Sequence, residues 1–512
     1  MRRLYLIALA LVSAGSASGQ STRDKIRAYR EQHEVAIVAE LTGLLALRNV
    51  ASNLEDIRIN ARALVAMMTK RGIATRILEV DGAPPAVYGE LITPGATKTV
   101  VFYAHYDGQP VDSAKWASPA WTPRLRSGPQ SPGVTELPLT PTSGRFDPEA
   151  RIFARSASDD KSPIVAMLTA LDALRANQIA PSVNLKFFLE GEEEAGSLNL
   201  RRILTTYREL LTADFWIFGD GPVHQSGAAQ VVFGVRGVIG ADLTIYGPIR
   251  PLHSGHYGNW APNPNAMMVA LLASLRDTES RITIPGFYDD VSPVTEADRQ
   301  AFRSMPAVEA QLVQELQLGR TEGAPSSLPE QLALPALNIS GLAGGRAAGG
   351  GANVIVPQTD AYLDFRLVPR QTPDRVKTIV EEHIQRQGFH IVRATPDSVT
   401  RRTYPKVIQV TWSGGYGAAK TSLDSPGARA LLAAADRAAD HPLIRVPALG
   451  GSLPLFDFVD LLGAPFAILP IVNHDNNQHG ENENLRLSNL WAGIELYGGV
   501  VAEMGRQWRA NP

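Results

Sequence analysis

The chain of 512 residues contains no cysteine. This removes thiol nucleophiles, disulfides, thiolate metal sites and cysteine lipidation, and leaves His, Asp and Glu to hold any metal. Excess charge of one sign is also missing: 49 Lys and Arg face 51 Asp and Glu, a net charge of −2. A whole-chain basic field is therefore absent, and nucleic acid is not expected as a partner. No apolar run reaches the roughly 20 residues of a bilayer-spanning helix. There is no G-x-S-x-G nucleophile elbow, which disfavours a serine hydrolase. His33-Glu34 lacks a second histidine four positions after the first, which disfavours a thermolysin-type zinc site.

What remains is a globular composition, 44% hydrophobic, 20% charged and 7% aromatic. At roughly 150 residues per domain, the length suggests two to four domains. Arg2 and Arg3 precede the apolar run Leu4 to Val12, and Ala17-Ser18-Gly19 follow. This is the charged, apolar, small-residue order of a secretory signal, 1–19, cleaved after Gly19. The mature protein is expected to be secreted or periplasmic, with no membrane contact once the signal is removed.

From 20 to 237 helical and strand periods alternate, which predicts an α/β layer with a largely parallel central sheet. Ile26 to Leu47 and Leu54 to Lys70 read as helices, and Thr99 to Ala104, Val183 to Leu189 and Asp214 to Phe218 as buried strands. Ser118 to Pro148, with seven prolines, reads as a loop. From 238 to 420 strand-like runs and helices suggest an inserted α+β domain, and 421–512 resumes the first pattern. The Gly344 to Gly351 stretch precedes a strand rather than a helix, so it reads as a hairpin loop and not a phosphate cradle.

Polar residues gather where the apolar runs stop. Thr99 to Ala104 leads into His105-Tyr106-Asp107, and Val183 to Leu189 into Glu190-Gly191-Glu192-Glu193-Glu194. The run ending at Phe218 leads to Asp220, and the one ending at Pro470 leads towards His479. Asp159-Asp160-Lys161 precedes a helix. In open α/β sheets ligands bind outside the carboxyl ends of strands. Taken singly, His105 suits a core histidine, Asp159 a helix cap and Glu192 to Glu194 a solvated turn. Together, carboxylates on a buried rim repel one another unless cations offset them. Two imidazoles and several carboxylates are a suitable donor set for two Zn²⁺ ions.

The sequence resembles the M20 family of dinuclear zinc peptidases, in its carnosinase-related dipeptidase and carboxypeptidase branch. H-x-D appears as His105-Tyr106-Asp107, D-[DN]-K-G as Asp159-Asp160-Lys161-Ser162, and E-G-x-E-E-x-G-S as Glu190 to Ser197. The fourth and fifth ligands match Asp220 and His479. The resemblance implies that Asp159 bridges two Zn²⁺ (Mn²⁺ or Co²⁺ being alternatives), with His105 and Asp220 on one ion and Glu194 and His479 on the other. It implies that Asp107 orients His105 and that Glu193 is the general base. The inserted domain resembles the family's lid, which forms a homodimer. His253 matches the histidine that reaches the partner subunit's active site and stabilises an oxyanion. Arg366 matches a binder of the substrate carboxylate, and Asn353, Gly451 and Ser452 match substrate contacts. Ala154-Arg155-Ser156 stands where the family has Gly-Arg-Gly, and the connection from His105 to Asp159 is longer than usual; neither removes a ligand.

The expected substrate is a dipeptide or short peptide. An N-acyl amino acid offers the same carboxylate and amide, so an amidohydrolase is the alternative enzyme. A non-catalytic periplasmic binding protein is the alternative of another class, disfavoured because a binder needs no spare base at Glu193.

Overall fold

In the computed structural model the described residues are 21–508, without 324, 325, 348 and 349; the segment 1–19, read from the sequence as a secretory signal, lies outside them. The short apolar runs assemble into one eight-stranded sheet. Its order is Ala74–Leu78, Ala86–Leu91, Asn184–Glu190, Thr99–His105, Phe215–Phe218, Phe466–Ile468, Gln230–Val232 and Ile444–Val446. The four strands from Asn184–Glu190 to Phe466–Ile468 are mutually parallel. Three other junctions are antiparallel, and the last pair is parallel again.

Strand Thr99–His105 shows why its sequence is an unbroken apolar run: both faces are covered. Val100, Phe102 and Ala104 join the core under helices Thr22–Leu45, Lys161–Ala176, Pro426–Ala438 and Leu487–Gln507. Val101 and Tyr103 join the core under Leu200–Thr206 and Leu455–Leu462. Period-2 alternation thus sends successive side chains into two different cores. The helix starts are also written locally. Ser425 caps Pro426–Ala438 with proline in its first turn, a cap contributing about 1 kcal/mol.

A second, five-stranded sheet is ordered Ala336–Ala343, Gln358–Leu367, Gly237–Tyr246, Val407–Trp412 and His390–Val392. Along Gln358–Leu367 every second residue is buried, and Ala361, Leu363, Phe365 and Leu367 pack with Met268, Leu271, Val376 and Val380 of helices Pro264–Ala273 and Pro373–Arg386. Asp360, Tyr362, Asp364 and Arg366 take the alternate positions, partly exposed.

One sequence expectation needs correction. Ser118 to Pro148 is not all loop: Arg124–Arg126 and Glu136–Leu137 pair as a hairpin and join Arg151–Phe153 and Asn484–Arg486 in a four-stranded sheet. The strand expected after Gly344 to Gly351 is the short Val354–Ile355, paired with Leu252–His253.

Candidate metal centre

Because the central strands are parallel, their carboxyl ends share one edge. His105 ends one strand there, Glu190 ends its neighbour, and Asp220 follows Phe215–Phe218 by two residues. Two glycines permit the close approach. A Cβ on Gly191 would lie 2.6 Å from the Tyr106 hydroxyl, and one on Gly219 2.8 Å from Pro163 Cβ. These contacts account for glycine beside Glu190 and beside Asp220.

His105 donates from Nε2 to Asp159 Oδ1 at 2.9 Å, while His479 Nε2 lies 3.1 Å from Asp159 Oδ2 and 3.2 Å from Glu194 Oε2. Asp159 therefore offers one oxygen to each imidazole. His105, Asp159 and Glu194 bring ligand atoms within 4.8 Å of one another, and so do His105, Glu193 and Asp220. His105, Asp159 and Asp220 are buried, whereas the His479 side chain is 56% exposed.

Asp107, fully buried, holds this arrangement from behind. Its Oδ1 accepts the backbone N–H of Glu193 at 3.1 Å and its Oδ2 that of Glu194 at 3.0 Å. Oδ1 also lies 3.4 Å from His105 Nδ1. One carboxylate thus fixes the turn that aims two others. Gln109, which the sequence did not single out, donates to Glu194 Oε2 at 2.7 Å. Glu483 was likewise missed; it accepts the backbone N–H groups of Ser156, Ser158 and Asp159. Its place in the His479 run was visible, but its partners lie over 300 residues away in sequence.

The protonation pattern follows from the crowding of these groups. Burial raises the Glu193 carboxyl well above its usual range; Asp220 and Asp159 add to this against the pull of His105. Burial and the charge of Asp159 push Asp220 up to about 6. Hydrogen bonds to Asp159 and Glu194 push His479 up to about 10. Burial would raise Asp159, but hydrogen bonds from His105 and His479 hold it far below the carboxylate norm. Without cations these groups balance charge with protons, whereas divalent ions would take over that balance. An oxygen and nitrogen set of this size and burial fits divalent transition metals.

The remaining predicted site residues fall into two places. Arg366 donates to Ser452 Oγ at 3.0 Å and to Asp364 at 3.1 Å, and Gly451 O accepts the Arg236 N–H. Arg366, Gly451 and Ser452 therefore meet where the two large sheets adjoin. His253 and Asn353 meet elsewhere: Asn353 O accepts the Ser254 N–H at 2.9 Å, beside the His253–Val354 pairing. His253 is exposed, and Gly255 N–H donates to its Nδ1.

Residues 101–503 match the model of Peptidase family M20/M25/M40. The chain is 26% identical over 435 residues to the mouse (Mus musculus) Beta-Ala-His dipeptidase, covering 83% of this chain and 80% of that protein. It is 26% identical over 439 residues to a Cys-Gly metallodipeptidase of Candida albicans, covering 83% and 82%. Among solved structures, an M20 family metallo-carboxypeptidase from Sulfolobus solfataricus superposes with a TM-score of 0.71 at 26% identity, covering 92% of this chain and 99% of that one. The chain belongs to the peptidase family M20/M25/M40 and is a peptidase-type hydrolase.

Proposed function

We propose that this protein is an exported dinuclear zinc exopeptidase that hydrolyses dipeptides or short peptides. The observation that carries the reading is the split between two adjacent glutamates. Glu194 groups with His105 and Asp159, whereas Glu193 groups with His105 and Asp220. Asp107 fixes both through their backbone N–H groups. Neighbouring carboxylates can thus serve different purposes, one as ligand and one as base.

His105, Asp159, Asp220, Glu194 and His479 would hold two Zn²⁺ ions, which when bound supply Lewis acidity and a nucleophilic water. Glu193 takes a proton from the attacking water and returns it to the departing amine. Asp107 keeps His105 in the tautomer that presents Nε2 to the cluster. Arg366, assisted by Ser452, holds the substrate carboxylate and so fixes which amide faces Glu193. The names of the relatives, Beta-Ala-His dipeptidase and Cys-Gly metallodipeptidase, support a dipeptide substrate. The order of residues 1–19 supports export.

The lid would pair with a second copy of the chain. Strand Ala336–Ala343 is an edge strand, with Ile339 41% and Leu342 56% exposed. Unprotected apolar edges favour strand addition. His253, exposed on the same insertion, would then face the partner's cluster and stabilise the oxyanion.

The test is a panel of dipeptides, longer peptides and N-acyl amino acids, offered to metal-loaded wild type and Glu193→Gln. Release of amino acids by wild type, with metal retained but turnover lost in Glu193→Gln, is the expected result. Cleavage of N-acyl amino acids alone would replace the exopeptidase reading with the amidohydrolase. Two bound metals and no cleavage anywhere in the panel would overturn both.

A further inference from the structure

Five arginines are buried among the described residues: Arg30, Arg71, Arg151, Arg155 and Arg236. The first four each meet a carboxylate, Glu34, Glu40, Asp475 and Glu483 respectively. Arg236 does not. It is 6% exposed, its Nη2 donates to Leu334 O at 2.8 Å, and its Nε is buried without a partner. The acid whose charge reaches it, Asp364, is already paired with Arg366 at 3.1 Å. A buried guanidinium without a counter-ion is costly, and proteins rarely keep one without a use.

Its position supplies the use. The Arg236 N–H donates to Gly451 O, next to Ser452, which accepts from Arg366. Arg236 directly precedes strand Gly237–Tyr246, whose Val238 lies opposite Arg366. Burial and the charge of Arg366 pull the Arg236 guanidinium down to about 10, so the two cations sense each other. Asp364 pairs with Arg366 alone, so the Arg236 guanidinium beside them has no carboxylate of its own.

We propose that Arg236 and Arg366 form a paired guanidinium site for one carboxylate, and that the substrate's terminal carboxylate is the anion that completes it. Arg236 is then a specificity-determining residue that makes a free carboxylate a requirement. This rests on the peptidase reading of the metal centre. Tyr416 links the two places. Its backbone hydrogen-bonds with Val238 in both directions, and its side chain, partly exposed, feels the charges of both Glu193 and Arg366. A ligand held by the two arginines would therefore extend past Tyr416 towards the base.

Binding, not turnover, is the test. Calorimetry on metal-loaded Glu193→Gln would compare alanyl-alanine, alanyl-alaninamide and acetate, with and without Arg236→Met, and each protein's melting temperature would be recorded. The free acid should bind at least about tenfold more tightly than the amide, and Arg236→Met should remove most of that difference while leaving the amide unchanged. The melting temperature without ligand should hold or rise, because an unpaired buried charge has gone. Arg236→Lys, which keeps the charge, should restore part of the discrimination.

A fall in melting temperature with equal weakening of acid and amide would make Arg236 a purely structural donor to Leu334 and overturn the proposal. Acetate protection lost in Arg236→Met, with alanyl-alanine binding unaffected, would assign the site to a free anion and overturn it too. Failure of the peptidase reading would show separately, as absent turnover by wild type in the panel above.

Discussion

The carboxylate of Glu483 accepts the backbone N–H of Asp159 at 3.0 Å. The same side chain accepts from Ser158 N–H at 2.9 Å, Ser156 N–H at 2.9 Å and Arg155 Nη1 at 2.8 Å, and it is fully buried. One glutamate from the His479 segment therefore shapes the loop that presents Asp159 between the two imidazoles. Glu483→Ala would strand the Arg155 charge and three backbone donors. The expected loss is about 3–5 kcal/mol, read as a lower urea midpoint of the metal-free protein. Glu483→Gln, which keeps the shape, should lose less.

Asp107 acts on the other side of the cluster. Asp107→Ala leaves the N–H groups of Glu193 and Glu194 without their acceptor and frees the His105 ring. Metal affinity should fall about 10–100-fold, with the circular dichroism spectrum unchanged. Titration against a chromophoric chelator measures this directly. Unchanged affinity would remove Asp107 from the metal centre's support.

These two residues mark how far the sequence could be read. His105, Asp220 and the Glu190 to Glu194 turn were legible because each stands where an apolar run stops, and a parallel sheet sends all such ends to one edge. The edge strand Ile444–Val446 and its neighbour Gln230–Val232 were not, since three residues carry too little periodicity. Prolines concealed the hairpin in 118–148. Pro123, Pro129, Pro132 and Pro138 flank its strands rather than interrupt them, so no ladder N–H is lost. Asp107 was read as a partner of His105 alone. That it also holds two backbone amides, and that Glu483 and Gln109 support the cluster, depends on contacts between distant segments that no local pattern encodes.

Far from the site, Arg71 joins two carboxylates, Glu40 at 2.6 Å and Asp172 at 2.7 Å. Burial alone would raise Glu40, but the Arg71 hydrogen bond and charge, with Lys70, outweigh it and hold the carboxyl below its ordinary value. A depressed carboxylate stabilises the fold above its unfolded pKa, and that contribution disappears as pH falls through the folded value. Metal-free Glu40→Gln should thus be less stable than wild type at pH 6. The gap should shrink steadily towards pH 3, which urea midpoints across the range would show. A gap independent of pH would mean that packing, not charge, makes the difference.

If strand Ala336–Ala343 joins two copies, lysines at its exposed apolar positions should separate them. Wild type is expected to sediment as a dimer, and the Ile339→Lys, Leu342→Lys double variant as a folded monomer. Because His253 would complete the partner's site, the monomer should bind metal normally yet turn over slowly. Full activity in a proven monomer would end the role given to His253.

Loading the metal centre should release protons, and the sign follows from the groups that would have to change. In the metal-free protein Asp220 is pushed up to about 6 by burial and Asp159, and Glu193 is held well above the carboxylate range by burial. His479 is pushed up to about 10 by Asp159 and Glu194. At pH 7, then, His479 carries its proton and Asp220 is mostly ionised, while burial favours the protonated form of Glu193. An imidazole nitrogen must be deprotonated to bind a metal, and added cations lower the pKa of nearby carboxylic acids. Zinc titrations at pH 7 in buffers of different ionisation enthalpy should therefore show release of more than one proton per chain. In Glu193→Gln the release should be smaller, because the glutamine has no proton to give. Equal release in both proteins would mean that Glu193 is ionised before the metals arrive, and the base would then have to be sought elsewhere on the cluster.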